Sequence, residues 1–585
     1  MNLIEYEAYF WAKFFVAERA VSGVIIILIY LLIASLLAYI LSFHIARIYS
    51  DQKNVFSKIT GRAIAFFERI IGESPEHSMD FKEYFLNLLL FNFFAGLISF
   101  LVIMFQHYLP FSYDSLGMSP SLDFNTVVSF LTNTNLQHYS NPMRLSYFSQ
   151  TFVITGLMFL SAGTGFAASM AFVRGIRTDT GKIGNFYHDF LVSIFDLILP
   201  LTIIVTVILI LAGVPETMQR YITVNAFITN KVYNIPLGPV ATLEAIKNIG
   251  TNGGGFYGAN AAFPFENPDW FTNLVEFVSF VIIPLASLLS LGIVFGDRKF
   301  GQMLYWVIMF FFIFQGLFSF FGEFVGVPFL HMGYYTGNMV GKETAIGISQ
   351  STIFAVGATI TSTGASNAAL VSYTPAGIIG VLIGLLLNDP LGGVGTGVLN
   401  IFMYIIFTVF IASLMVGKLP ELMSLRIGSK EIKYSTLSLI THPLLVVIPL
   451  GITLMIPHLM STFVNPYSSR ITELLYEFAT SASNNGSEMG GFDTNQPFFN
   501  YIDGVLMLLG RYLLIAFQLA IAQSFSVKKA KAQYYRSINT SNWIFGILLI
   551  AAMVLIGLLS YFPIIVLGPL LSWAHDFNLM LGAMI

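Results

Sequence analysis

Long apolar runs alternate with short polar ones along the whole chain. Ten runs meet or exceed the roughly 20 apolar residues a helix needs to cross a bilayer: 21–43, 84–107, 147–173, 189–213, 272–295, 303–325, 376–417, 437–459, 501–525 and 543–567. The pattern predicts an all-α polytopic membrane protein of ten spans. Between neighbouring spans, four shorter helix-like stretches are predicted at Phe124–Leu131, Pro239–Ile249, Ser349–Ile360 and Thr472–Ala482. Each runs into a polar tetrad: Thr132-Asn133-Thr134-Asn135, Gly250-Thr251-Asn252-Gly253, Thr361-Ser362-Thr363-Gly364 and Ser483-Asn484-Asn485-Gly486. The last residues of successive tetrads are 118, 111 and 122 positions apart. Near-constant spacing marks an internal repeat. The predicted division is a first span with a polar loop (1–83), four helix–loop–helix units (84–188, 189–302, 303–436 and 437–536) and a last span (537–585).

Composition agrees with a membrane chain. Of 585 residues, 56% are hydrophobic and 10% charged, and the mean hydropathy is +0.76. A net charge of −3 gives no sign of nucleic-acid binding, and the lack of cysteine excludes disulfides and thiolate metal sites. The first run is too long for a signal-peptide core and reads as a retained span. The loops after the first, third, fifth, seventh and ninth spans hold 19 of the 28 Lys and Arg residues. The positive-inside rule puts those loops in the cytoplasm, both termini outside, and the tetrads at the outer face.

The tetrads carry the candidate chemistry. Isolated glycines in membrane helices usually serve helix packing, but four matched tetrads are hard to obtain from packing. Gly and Asn tolerate positive φ and can turn successive carbonyls toward one centre. Four such loops around an axis can replace the hydration shell of a monovalent cation. The candidate ligands are Asn133, Thr134 and Asn135, Thr251, Asn252 and Gly253, Ser362, Thr363 and Gly364, and Asn484, Asn485 and Gly486. The C-terminal dipole end of each short helix would face the same axis and favour a cation.

The seventh run is 42 residues long; as one helix it would reach about 63 Å. Its middle, Asn388-Asp389-Pro390-Leu391-Gly392-Gly393-Val394-Gly395-Thr396-Gly397, cannot be regular helix. The expectation is a broken span whose loop sits under the tetrads and gates, rather than a peripheral bulge. Asn388, Asp389, Gly392, Gly393, Gly395 and the mid-span Arg511 are the candidate gating residues. An intramembrane arginine faces the interior or a pathway; here it is read as a fixed charge under the tetrads or as a partner for Asp389 or a helix-end carbonyl. Glu266, Glu488 and Asp493 are read as solvated loop charges near the outer mouth. The nine histidines show no metal-ligand spacing. No P-loop is present, and Asp179-Thr180-Gly181-Lys182 reads as a turn.

Thr132-Asn133-Thr134-Asn135-Leu136-Gln137, Gly238-Pro239-Val240-Ala241, Gly250-Thr251-Asn252-Gly253-Gly254-Gly255-Phe256, Pro264-Phe265-Glu266-Asn267-Pro268, Gly296-Asp297-Arg298 and Asn484-Asn485-Gly486-Ser487 closely resemble the potassium-binding A subunit of the Kdp transport ATPase. The resemblance runs from about residue 80 to the C-terminus and is most specific over 238–268. It implies a non-catalytic, K⁺-selecting subunit in the cell membrane, with K⁺ as the transported ion and no organic cofactor. The implied partners are a P-type ATPase B subunit, a C subunit and a small single-span peptide. The chain departs from the family pattern at Leu387–Gly393, at Leu370-Val371-Ser372 and at Ser487-Glu488-Met489. The other reading is a stand-alone channel or symporter of the related Trk/Ktr/HKT group. It shares the pore physics but lacks the extra first and last spans and the 238–268 run.

Overall fold

A computed structural model describes residues 3–575 apart from 75, 114, 141, 226–230, 327–336 and 529–537. Lys529, Lys531 and Arg536, which the charge argument assigns to the ninth loop, lie outside the described residues. The chain is mostly helical. Among the described residues, nine helices are long and apolar enough to cross a membrane, and the pair Trp543–Gly557 and Leu559–His575, bent by 47°, makes a tenth when counted as one span.

Four units share one plan, a long helix, a short helix and a second long helix. The first unit has Phe81–Met104, Pro120–Leu131 and Ser149–Arg177. The second has Phe186–Leu211, Val240–Ile249 and Trp270–Val294. The third has Arg298–Val325, Gly347–Ile360 and a last span in two pieces, Pro375–Leu386 and Thr396–Val416. The fourth has Ser429–Leu454, Tyr467–Ala482 and Pro497–Ser526. The seventh predicted span is therefore broken at the expected place. Three short helices begin earlier than expected, by four residues at Pro120, two at Gly347 and five at Tyr467. Proline in the first turn and a preceding cap explain the first: Ser119 accepts the Leu122 amide. Local caps fix other starts, notably the Asp269–Thr272 capping box that opens Trp270–Val294.

The first helix, Leu3–Tyr49, packs along Trp270–Val294 and reaches the third short helix, where the Tyr30 hydroxyl donates to Gln350 Oε1 at 2.6 Å. The last helix packs on Arg298–Val325 and Thr396–Val416. Leu32, Ile40, Phe93, Ile98, Ile203 and Trp306 point outward from the bundle, as a lipid-facing surface does. The short helices are buried nearly throughout. Non-helical backbone at this depth needs such protein cover.

The hydropathy pattern does not announce every element. Tyr221–Asn225 and Val232–Pro236 form an antiparallel hairpin between the second unit's first span and its short helix. Ser57–Ile71 is a helix in the first basic loop, with Ile59, Phe66 and Ile70 exposed beside Lys58, Arg62 and Arg69. That mixture suits a helix lying in a bilayer interface.

Candidate functional site

Each tetrad starts where a short helix stops. The amide of its third residue turns back to the carbonyl five positions earlier: Thr134 to Ser129 at 2.9 Å, Asn252 to Lys247 at 2.8 Å, Thr363 to Ala358 at 2.9 Å and Asn485 to Thr480 at 2.9 Å. The same bond in all four units makes one local fold used four times. Its second and fourth residues have positive φ: 62° and 59° at Asn133 and Asn135, 47° and 109° at Thr251 and Gly253, 54° and 66° at Ser362 and Gly364, 57° and 92° at Asn484 and Gly486. Alternating the sign of φ turns consecutive carbonyls to one side, whereas a regular strand alternates them. The fourth-position Gly or Asn is visible in the sequence. The second position is not, because Thr251 and Ser362 are poor left-handed residues. A β-branched threonine there stores strain of roughly 1–3 kcal/mol, as functional sites do.

The tetrads touch in cyclic order. From the first to the second, Asn133 Nδ2 donates to the Thr251 carbonyl at 2.7 Å, and Asn135 Nδ2 to the Gly253 carbonyl at 3.0 Å. The second meets the third so closely that a Cβ on Gly253 would lie 2.1 Å from the Thr363 carbonyl oxygen. From the third to the fourth, Ser362 Oγ donates to the Asn484 carbonyl at 2.8 Å. The fourth returns to the first through Asn484 Nδ2, which donates to Thr134 Oγ1 at 2.9 Å. All twelve sequence-predicted residues are buried in this ring. The third-position side chains are tied back: Asn252 Nδ2 to the Met158 carbonyl at 3.3 Å, Asn485 Nδ2 to that of Ala358 at 2.9 Å, and Thr134 and Thr363 to the hydroxyls of Thr132 and Thr361.

The two faces of the ring differ. On the fourth-position side a cavity of about 330 Å³ is lined by Asn135, Gln137, Gly254, Gly364, Gly486 and Glu488. On the second-position side lies the break between Pro375–Leu386 and Thr396–Val416. Asn388, Asp389, Gly392 and Gly395 there have φ of 54°, 49°, 64° and 79°. The Leu391 and Gly392 amides donate to the carbonyl of Ile360, the last residue of the third short helix, at 3.1 and 3.0 Å. The Val394 amide donates to Thr251 Oγ1 at 2.8 Å, and a Cβ on Gly393 would lie 2.9 Å from that same oxygen. The loop thus lies under the ring. Asp389 is buried beside Ser362, Ser483 and Asn485.

Arg511 lies in a π-helical turn, Leu509–Leu513, and is buried next to this loop. Its Nη2 donates to the Ser161 carbonyl at 2.9 Å, and its Nη1 is 3.5 Å from Thr396 Oγ1. It makes no ion pair with Asp389 among the described residues. Its carbonyl partner is mid-helix, in the first unit's second span.

The outer charges need correction. Glu266 is fully buried, with its carboxylate 3.5 Å from Lys247 Nζ and accepting the Tyr257 amide at 2.6 Å. Lys247 also pairs with Glu244 one turn earlier and donates to Asn260 Oδ1 at 2.9 Å. The post-tetrad loop folds back onto its own short helix, which no periodicity reveals. Glu488 is only half-buried, and Asp493 is exposed as expected. A second buried pair, Lys342 with Glu323 at 2.7 Å, braces the third unit.

The whole arrangement has relatives. The protein-family profile described as potassium-transporting ATPase A subunit matches residues 28–573. A protein of Thermoplasma acidophilum called potassium-transporting ATPase potassium-binding subunit is 92% identical over 585 residues, all of both chains. One of the same name from Caldanaerobacter subterraneus is 39% identical over 510 residues, covering 86% of this chain and 91% of the relative. Among solved structures, the potassium transporter TrkH from Vibrio parahaemolyticus shares the fold with a TM-score of 0.52 at 16% identity, over 85% of this chain and 98% of that one. With four matched units around a buried ring and this extent of likeness, the chain belongs to the potassium-transporting ATPase A subunit family.

Proposed function

We propose that the four tetrads are a K⁺ selectivity filter and that the chain hands the selected ion to a P-type ATPase partner. The observation that carries this is the ring: four copies of one backbone turn, alternating in the sign of φ and closed edge to edge, with the third-position side chains tied back. Such a ring offers carbonyl oxygens in place of a hydration shell. The 330 Å³ cavity on the fourth-position side is the entry from outside. The positive-inside argument sets that side outward, with both termini outside and the chain in the plasma membrane. The four helix–loop–helix units, bounded at 84–188, 189–302, 303–436 and 437–536, are its modules.

The loop 388–397 and Arg511 act as the gate. A filter that fed an open channel would dissipate the gradient a pump builds. The loop holds its place through Thr251 and Ile360, so ion passage beyond the second-position face requires it to move or the ion to pass beside it. Asp389 offers that ion a carboxylate, and Arg511 sets the opposing charge. The energy comes from outside this chain, from a B subunit that hydrolyses ATP, assembled with a C subunit and a small single-span peptide. Copurification of the coexpressed complex, followed by ATPase assay across a K⁺ titration, tests the reading. K⁺-stimulated hydrolysis together with uptake supports it. K⁺ flux through the chain alone, without nucleotide, favours a stand-alone channel instead.

A further inference from the structure

Behind the ring, where the first and fourth units meet, four polar side chains from distant parts of the chain converge. His138 comes from the loop after the first tetrad, Glu477 from the fourth short helix, Glu488 from the loop after the fourth tetrad, and Asp503 from the fourth unit's last span. His138, Glu477 and Asp503 are buried, and one ligand atom from each lies within 4.8 Å of the others. In the second and third units the buried carboxylates meet Lys247 and Lys342. Here three carboxylates face a single imidazole.

The tautomer of that imidazole is set by its neighbour. Asn500 uses its Nδ2 to donate to Ser121 Oγ at 3.2 Å and Asn495 Oδ1 at 3.3 Å, so its Oδ1 is an acceptor. His138 Nδ1–H donates to that oxygen at 2.8 Å. The other nitrogen, Nε2, faces Glu477 Oε1 at 3.2 Å and Asp503 Oδ2 at 3.9 Å. Fixing one ring nitrogen by an outer hydrogen bond is how proteins orient a metal-ligating histidine. Asp503 Oδ1 is held by Ser481 Oγ at 3.0 Å, whereas Asp503 Oδ2 has no hydrogen-bond partner among the described residues. The 3.2 Å separation is close to the edge of a tetrahedral site, where ligands about 2.0–2.1 Å from zinc stand about 3.3 Å apart, and 3.9 Å closes to that edge with a small side-chain shift.

We propose that His138 Nε2, Glu477 and Asp503 bind a divalent transition cation of the zinc class, separate from the K⁺ ring. Glu488 stands at the rim of the set, outside the three whose ligand atoms lie within 4.8 Å of one another. Its Oε1 is also without a partner among the described residues, and its side chain reaches the cavity on the fourth-position side, which gives the ion a way in. The bound ion ties the segment three residues beyond Asn135 to the short helix and last span of the fourth unit. It fastens the seam at which the ring closes.

The test uses the full-length chain in detergent, stripped with a chelator and titrated with Zn²⁺ alone, then with Co²⁺ as a spectroscopic stand-in. One Zn²⁺ per chain should survive desalting and raise the melting temperature, and Co²⁺ should give the visible bands of a tetrahedral nitrogen–oxygen site. His138→Gln and Asp503→Asn should each weaken binding at least about tenfold, and Asn500→Leu, which frees the ring tautomer, about 10–100-fold. If a single buried substitution prevents folding, the pair His138→Gln with Asp503→Leu removes ligand and charge together, and Glu488→Gln probes the rim. Substoichiometric Zn²⁺ in the wild-type chain overturns the proposal, as does undiminished affinity in the His138 variant. The cluster is then an imidazolium held by carboxylates.

Discussion

Gly486 leaves no room for a side chain. A Cβ there would lie 1.6 Å from the Thr134 carbonyl oxygen, against 2.1 Å for Gly253 facing Thr363 and 2.2 Å for Gly364 facing Asn485. All three also have positive φ. Gly486→Ala should therefore cost the most per added atom, and Gly253→Asp and Gly364→Ser should follow. A loss of about 1–3 kcal/mol from strain alone corresponds to roughly 5- to 150-fold in K⁺ affinity. K⁺-dependent ATPase titrations of the assembled complex, repeated with Na⁺, measure it. Unchanged K⁺ affinity and Na⁺ rejection in all three variants would sink the filter assignment. Thr251 is the other critical residue. Its hydroxyl oxygen accepts the Val394 amide and so joins ring to loop. Thr251→Val should orphan that amide at a cost of about 1–3 kcal/mol, loosening the loop while leaving the tetrad backbone in place. The expected readout is K⁺ leak from loaded proteoliposomes without ATP, with ion selectivity retained.

At the scale of elements, the broken span and the short helices do different work. Without Gly392–Gly397 the two halves of the span have no link that can lie flat under the ring. Deleting 392–397 should raise passive K⁺ flux and uncouple hydrolysis from uptake. Arg511→Gln should leak in the same direction but less, since the arginine is anchored to Ser161 and Thr396 beside the loop and does not form it. A deletion variant that assembles and stays K⁺-tight would show the loop is no gate. The second short helix depends on its buried charges. Lys247 faces Glu244 and Glu266, with Glu276 nearby. Lys247→Met would leave those carboxylates without their cation, and stripping one partner from a buried ionic set costs about 3–5 kcal/mol. A large drop in melting temperature and in yield of the assembled complex is expected. Adding Glu266→Gln should recover part of it, because the second change removes a charge left unpaired by the first.

For the whole molecule, the division of labour is the prediction. The chain carries no P-loop. Purified by itself it should hydrolyse no ATP at any K⁺ concentration. Hydrolysis should appear on addition of the P-type partner and rise with K⁺. ATP turnover by the rigorously purified single chain would refute this. The first and last helices, which stand outside the four units, pack against Trp270–Val294, Arg298–Val325 and Thr396–Val416. They broaden the wall around the third unit, whose last span is the broken one.

Much of this architecture is written in the chain because its causes are local. Bilayer thickness sets the length of each apolar run, so the spans follow from hydropathy. Repetition of a tetrad after a short helix marks four units, and Gly or Asn at the fourth position announces a left-handed turn. The Pro and Gly of 388–397 forbid regular helix wherever they fall. Other features arise only when distant segments meet. Left-handed φ at Thr251 and Ser362 has no signal in residue type, because neighbouring tetrads enforce it. Glu266 looks like a loop charge until the chain folds it onto Lys247. Histidine spacing gives no hint of metal chemistry, because His138 and Glu477 stand 339 residues apart and are joined by closure of the ring. Sequence fixes what a segment can do by itself. The choice of which buried charge meets which belongs to the tertiary structure, because in a low-dielectric interior a charge is stable only beside the partner that packing brings to it.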